Sequence, residues 1–221
     1  MPTKTLRLAH RGDWRVAPEN SLAALTAALA LPACDGLEFD VRVSVDGVPV
    51  LYHDETLQRV HGRPDRVDAM TAAALGDLGI PTLTQAFVAI GRRAFLDVEL
   101  KVDPGPVIVE ILAGGRGPAL SRAVVSSFDP AALQRIGQLA PSWPRWLNRD
   151  KLDDLAVADA LALGCRGVAV GWRGLDAERV GLAGAAGLEV AGWTVRHRST
   201  FDRLTALGLN AVCVEGAALD G

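Results

Sequence analysis

Between residues 36 and 55 the chain reads GLEFDVRVSVDGVPVLYHDE, which brings two carboxylates and an imidazole within reach of one another. Glu38 and Asp40 alternate with Leu37, Phe39 and Val41, so in a strand both carboxylates share one face. Asp46-Gly47 reads as a tight two-residue turn, because this pair tolerates the positive φ angles that such a turn needs. With that turn Val45 faces Val48, and Asp40 lies opposite His53. A ligand for a hard cation and a proton carrier then become neighbours. A hairpin with one wet face shows the same alternation, so the recurrence of charged groups elsewhere has to separate the two.

That recurrence depends on the elements around it. Short apolar runs at 6–10, 37–43, 48–53, 94–101, 123–128, 144–148, 167–171, 189–195 and 210–214 read as strands. They alternate with alanine- and leucine-rich helical patterns at 21–31, 83–90, 106–112, 131–139, 152–163, 177–186 and 201–207. No linker or composition shift divides the series, so residues 1–221 read as a single domain. The βα alternation predicts a compact (β/α)8 TIM barrel with short loops. Nine runs for eight places mean that 48–53 is a hairpin return of its predecessor, or that one terminal run stays outside the barrel.

In such a barrel the reactive groups sit at the C-terminal ends of the strands. Here those ends carry His10-Arg11-Gly12, then Glu38 and Asp40, then His53-Asp54, then Glu99-Leu100-Lys101. Glu38, Asp40 and Glu99 together suit one divalent cation, Mg²⁺ or Ca²⁺, since hard cations take oxygen ligands. Without a cation, three crowded carboxylates repel and raise one another's pKa. Arg11 and Lys101 suit a phosphoryl group, the first as a fork and the second as a compact charge. His10 and His53 can divide the roles of acid and base near neutral pH. Trp193, near a strand end, serves either to stack on a ligand or to pack the core.

Other features carry less. His61 and His197 lie in arginine-containing loops and receive no chemistry. Residues 18–21, Pro-Glu-Asn-Ser, read as a loop feeding a helix capped by Asn20 or Ser21. The glycines at 113–117 lack the Lys-Ser/Thr of a phosphate loop and read as a helix stop.

Composition narrows the partners. With 49% hydrophobic residues the chain is of globular type, and a net charge of -3 gives no general pull toward nucleic acid or an anionic membrane. A small-molecule substrate is expected, and the oligomeric state is left open. Cys34, Cys165 and Cys213 lack CxxC spacing and read as buried thiols. No apolar run matches a signal peptide or a membrane span, so a cytoplasmic location is expected.

Several pieces taken together resemble a known family: His10-Arg11-Gly12, Pro18-Glu19-Asn20, Glu38-Phe39-Asp40-Val41, Asp46-Gly47, His53-Asp54, Ile80-Pro81-Thr82-Leu83, Glu99-Leu100-Lys101, Ser127-Phe128 and Trp193-Thr194-Val195. Their order and spacing resemble the glycerophosphodiester phosphodiesterases, (β/α)8 barrels related to phosphatidylinositol-specific phospholipases C, over nearly the whole chain. The resemblance implies hydrolysis of a glycerophosphodiester to glycerol 3-phosphate and an alcohol. It implies His10 and His53 as general acid and base, Glu38, Asp40 and Glu99 as metal ligands, and Arg11 and Lys101 as phosphate contacts. Attack by the neighbouring glycerol hydroxyl would form a cyclic phosphate first, because an internal nucleophile avoids the entropy of capturing water. The alternatives are a lyase that stops at the cyclic phosphate and a non-catalytic phosphodiester-binding module. Three departures stand out. Glu215 replaces the family's usual Asp after the last strand, Arg196 stands where Asn is usual, and a short 59–80 segment implies a reduced cap.

Overall fold

The computed structural model of the chain describes residues 4–221; residues 1–3 of the N-terminal stretch read for a leader lie outside the described residues. Apolar runs buried on both sides make a parallel sheet stable only if both faces are covered, and here the sheet closes on itself. The strands of the ring are β1 (Leu6–His10), β2 (Gly36–Val43), β4 (Phe95–Leu100), β5 (Ala123–Ser127), β6 (Arg145–Arg149), β7 (Gly167–Gly171), β8 (Glu189–Val195) and β9 (Ala211–Val214). β9 returns beside β1, which also pairs with β2 and closes the barrel. The short β3 (Pro49–Leu51) pairs antiparallel with β2, with one bridge from Val50 to Thr82 on its other side, so the 48–53 run is the hairpin return.

Between the strands lie α1 (Leu22–Leu29), α2 (Gln58–His61), α3 (Ala72–Gly76), α4 (Leu83–Ile90), α5 (Val107–Arg116), α6 (Pro130–Leu139), α7 (Asp154–Ala162), α8 (Ala177–Ala185) and α9 (Arg198–Ala206). Capping side chains start most of the outer helices: Ser21 for α1, Thr82 with Gln85 in a capping box for α4, and Asp129, Asp153 and Asp176 for α6, α7 and α8. Each cap satisfies amides that the first turn leaves free. The strand-to-helix loops above the barrel are therefore pinned where they turn.

Strand alternation splits the core into two layers. Leu37, Phe39, Val41, Leu96, Val98 and Val125 face outward onto helix residues such as Leu25, Leu83, Ile108 and Leu133. Inside the ring, Leu8, Val124, Trp146, Ala169, Ala191, Ala211 and Cys213 form a separate cluster. The small alanines leave room for Trp146, whose Nε1 donates to Glu189 Oε2 at 3.0 Å. Gly36 lets β2 approach β4: a Cβ there would sit 2.2 Å from the Phe95 carbonyl oxygen. The lower barrel is thus filled mainly with apolar atoms, with Glu189 at its base, and the titratable cluster lies in the upper part.

The hairpin departs from its expected register by one residue. Val41 pairs with Leu51 and Val43 with Pro49, so Tyr52 rather than His53 lies opposite Asp40, whose carbonyl accepts the Tyr52 N–H at 3.1 Å. The cause is the turn. Ser44 N–H donates to the Val48 carbonyl, and Gly47, at φ 77, closes a three-residue loop of residues 45–47. The Ser44 hydroxyl also donates to Asp46 Oδ1 at 2.6 Å and accepts from Val48 N–H at 3.0 Å. His53 reaches the barrel mouth because pairing stops at Leu51, while Arg42 Nε holds its carbonyl at 2.8 Å. Beyond it, α2, a 3₁₀ turn at Val67–Ala69 and α3 form the small cap over a cluster of Val50, Tyr52, Leu57, Val67, Leu75 and Ile80.

Candidate active site

The ends of β1, β2, β4 and β9 deliver the titratable groups to one mouth. Glu38 and Asp40 come from β2, Glu99 from β4, and one oxygen of each lies within 4.8 Å of the others. All three are buried, Asp40 completely. Burial pushes the Glu38 carboxyl well above its ordinary range, and the charges of Asp40 and Glu99 push it the same way. Glu99 is raised by the same two causes, burial and Asp40. For Asp40, burial is outweighed by Lys101 and Arg11, which hold its carboxyl below the ordinary range.

Arg11 Nε and Lys101 Nζ each lie 3.0 Å from an Asp40 oxygen, and Lys101 also pairs with Glu99. Neither Arg11 Nε, which faces Asp40 Oδ2, nor Asp40 Oδ1, which faces Lys101, has an aligned hydrogen-bond partner, so these are contacts of charge more than of direction. Both Glu38 oxygens likewise lack a hydrogen-bond partner. Buried, unpartnered carboxylate oxygens facing one another are costly by themselves, and the all-oxygen donor set fits a hard divalent cation.

Each imidazole is backed by a carboxylate. His10 Nδ1 lies 2.5 Å from Glu215 Oε1, and its Nε2 lies 3.7 Å from Glu38 Oε2. His53 Nδ1 lies 2.5 Å from Asp54 Oδ1. An ionised carboxylate only accepts, so each Nδ1 carries a proton and each Nε2 is left for chemistry. Burial, reinforced by Lys101 and Arg11, lowers the His53 pKa below its ordinary value despite the opposing charge of Asp40. The shift favours the neutral imidazole of His53. Glu215 also receives Arg196 Nε at 2.8 Å; although burial would raise its carboxyl, His10 and Arg196 pull it down to about 2.

These groups surround a cavity of about 180 Å³ lined by His10, Arg11, Glu38, His53, Asp97, Glu99, Lys101, Phe128, Asn148 and Trp193. The expected residues are brought together, Asp40 lying just beneath the lining through its contacts with Arg11 and Lys101. Trp193 meets Phe128 edge-on with centroids 5.6 Å apart, which leaves it both packed and facing the cavity. His61 stacks on Tyr52 in the cap.

Sequence reasoning missed several members. Asp97 sits below Glu99, accepts from the Ser126 hydroxyl at 2.5 Å, and is pushed by burial to about 7. Its spacing, two residues before Glu99 and four before Lys101, was a usable signal of a shared face. Asn20 does not cap the helix. At φ 59 its amide donates to Asp40 Oδ2 at 2.8 Å, while its Oδ1 accepts the Asp40 N–H at 3.3 Å. Glu19 accepts from Arg11 at 3.0 Å and from both terminal nitrogens of Arg59, whose Nε reaches Asp54 at 2.6 Å. A charged chain thus runs from Asp40 through Arg11, Glu19, Arg59 and Asp54 to His53. Nothing in the local sequence around Arg59 signalled it. Of the thiols, Cys165 and Cys213 are buried, while Cys34 is only half-buried.

Fold and site together define a parallel-barrel enzyme whose acids and imidazoles meet at the C-terminal mouth. Residues 10–217 match the glycerophosphoryl diester phosphodiesterase family. The chain belongs to that family, and so to the phosphoric diester hydrolases. It is 33% identical to a glycerophosphodiester phosphodiesterase of Caldanaerobacter subterraneus subsp. tengcongensis over a stretch spanning 62% of this chain and 64%, just under two thirds, of that one. A Bacillus subtilis glycerophosphodiester phosphodiesterase is 24% identical over 96% of this chain and 83% of its own. Among solved structures, an Oleispira antarctica phosphodiesterase in complex with the product sn-glycerol-3-phosphate superposes with a TM-score of 0.83 at 27% identity, covering 96% of this chain and 93% of that one. Among the described residues no helix is long and apolar enough to cross a membrane.

Proposed function

We propose that the chain hydrolyses glycerophosphodiesters to glycerol 3-phosphate and an alcohol, with His10 and His53 as the proton carriers. One observation carries this reading: three carboxylates with oxygens within 4.8 Å of one another lie beside two imidazoles, each oriented by its own carboxylate. A binding module has no need of two such proton carriers. Glu38, Asp40 and Glu99 would hold one divalent cation, Mg²⁺ or Ca²⁺. When bound, that cation offsets negative charge on the phosphoryl oxygens. Arg11 and Lys101 add positive charge at the mouth, where a phosphate would otherwise meet a wall of carboxylates.

His53, whose neutral form the site favours, takes the proton of the glycerol hydroxyl adjacent to the ester. The hydroxyl oxygen bonds to phosphorus as the bond to the alcohol breaks, and His10 gives its proton to the departing alkoxide. A cyclic phosphate and the free alcohol result. Water then attacks the cyclic ester with the two histidines in exchanged roles, which yields glycerol 3-phosphate and restores both protonation states.

Phosphorus NMR of glycerophosphoglycerol turnover tests the reading. The expected product is a phosphomonoester, formed with or without a passing cyclic ester. Accumulation of a cyclic ester with no later monoester would show a lyase instead. Thorough chelation with EDTA should silence the reaction, and an unchanged rate would reject the metal.

A further inference from the structure

Beside the catalytic cavity, the loops after β6, β7 and β8 enclose a second cleft of about 810 Å³, and Trp193 and Thr194 line both. The inner cavity, about 180 Å³, falls below the roughly 300 Å³ at which pockets begin to enclose a drug-sized ligand. It can take the glycerophosphoryl part of a diester, but the rest must extend outward. On the side of Trp193 and Thr194, which line both, the cavity adjoins this cleft. The cleft also adjoins the proton donor for the leaving group, since Arg196 on its wall holds Glu215, and Glu215 holds His10.

Charge on the cleft wall is mainly positive. Arg173 and Arg196 contribute guanidinium groups and Asp150 a single carboxylate. Among the described residues Arg173 forms no ion pair, and Arg196 offers only Nε to Glu215, which leaves its two terminal nitrogens free. Trp193 and Trp172 form the aromatic wall; Trp193 meets Phe128 edge-on, and Trp172 has its Nε1 tied to the Thr194 carbonyl at 3.1 Å. Guanidinium groups of Arg173 and Arg203 lie over the Trp172 ring at 5.0 and 5.6 Å. A ring already engaged by two cations makes a poor cage for a third.

Building on the hydrolase reading, we propose that this cleft receives the departing alcohol and favours an alcohol bearing an anionic group over one bearing a quaternary ammonium. Arg173 and Arg196 are the selecting residues. Both are exposed, so the selection acts through a field that salt screens.

The test compares kcat/KM for glycerophosphoinositol 4-phosphate, glycerophosphoinositol and glycerophosphocholine at low salt. The wild-type protein should prefer the 4-phosphate over the choline ester by about tenfold or more, with the inositol ester, whose alcohol part is uncharged, between them. In Arg173→Glu that ratio should fall to about one or below, and in Arg173→Gln to an intermediate value. High salt should shrink it in the wild type. A wild-type ratio near one, or a ratio unmoved by Arg173→Glu, overturns the subsite while leaving the hydrolase reading intact. Failure of the wild-type protein to turn over any of the three esters overturns both.

Discussion

Glu215 illustrates how a single carboxylate governs this site. It receives His10 on one oxygen and Arg196 on the other, so its extra methylene relative to Asp still reaches the imidazole. Glu215→Gln keeps the shape but removes the charge that orients His10, and turnover should fall about 10- to 100-fold, by analogy with the loss of outer-shell partners elsewhere. Equal kcat in variant and wild type would remove that role. The same residue sets an acid-stability window. Its folded pKa, about 2, lies below the ordinary 4.5, so its stabilising contribution is present above 4.5 and is lost as pH falls through 2. Urea unfolding should show the gap between wild type and Glu215→Gln at pH 6 closing as pH approaches 2. A gap constant over that range would contradict the assignment.

Among the elements, the barrel strands were legible because each is a short apolar run ended by a polar or glycine-rich turn. The period of two also placed Glu38 and Asp40 on one face. Two things were not legible. The hairpin register depends on the Ser44 side chain extending the turn by one residue, which a dipeptide signature at Asp46-Gly47 does not encode. Asn20 reads as a helix cap from its neighbours, whereas its left-handed backbone and its two bonds to Asp40 arise only when β1 and β2 lie side by side. Close approach of strands also makes a prediction. Gly36→Ala forces a Cβ toward the Phe95 carbonyl and Leu8, and the overpacking should lower unfolding free energy by about 1–3 kcal/mol. Urea denaturation with an unchanged midpoint would show that β2 and β4 can separate without cost.

The whole molecule divides into an apolar lower barrel that fixes geometry and an upper mouth where buried carboxylates oppose one another. The mouth is therefore the region that a bound ion would stabilise most. If the three carboxylates hold Mg²⁺ or Ca²⁺, a hundredfold excess over the dissociation constant should contribute about 2.7 kcal/mol, which for a barrel of this size should raise Tm by about 5–10 °C. Glu99→Gln, lacking one ligand charge, should show a much smaller rise, and wild-type protein indifferent to both ions would argue against the site. The most direct measurement is phosphorus-NMR turnover of glycerophosphoglycerol by wild type, His10→Ala and His53→Ala, with folding checked by circular dichroism. If the two imidazoles are the proton carriers, both folded variants lose about 10²- to 10⁴-fold in kcat. Wild-type turnover in both would contradict the assignment.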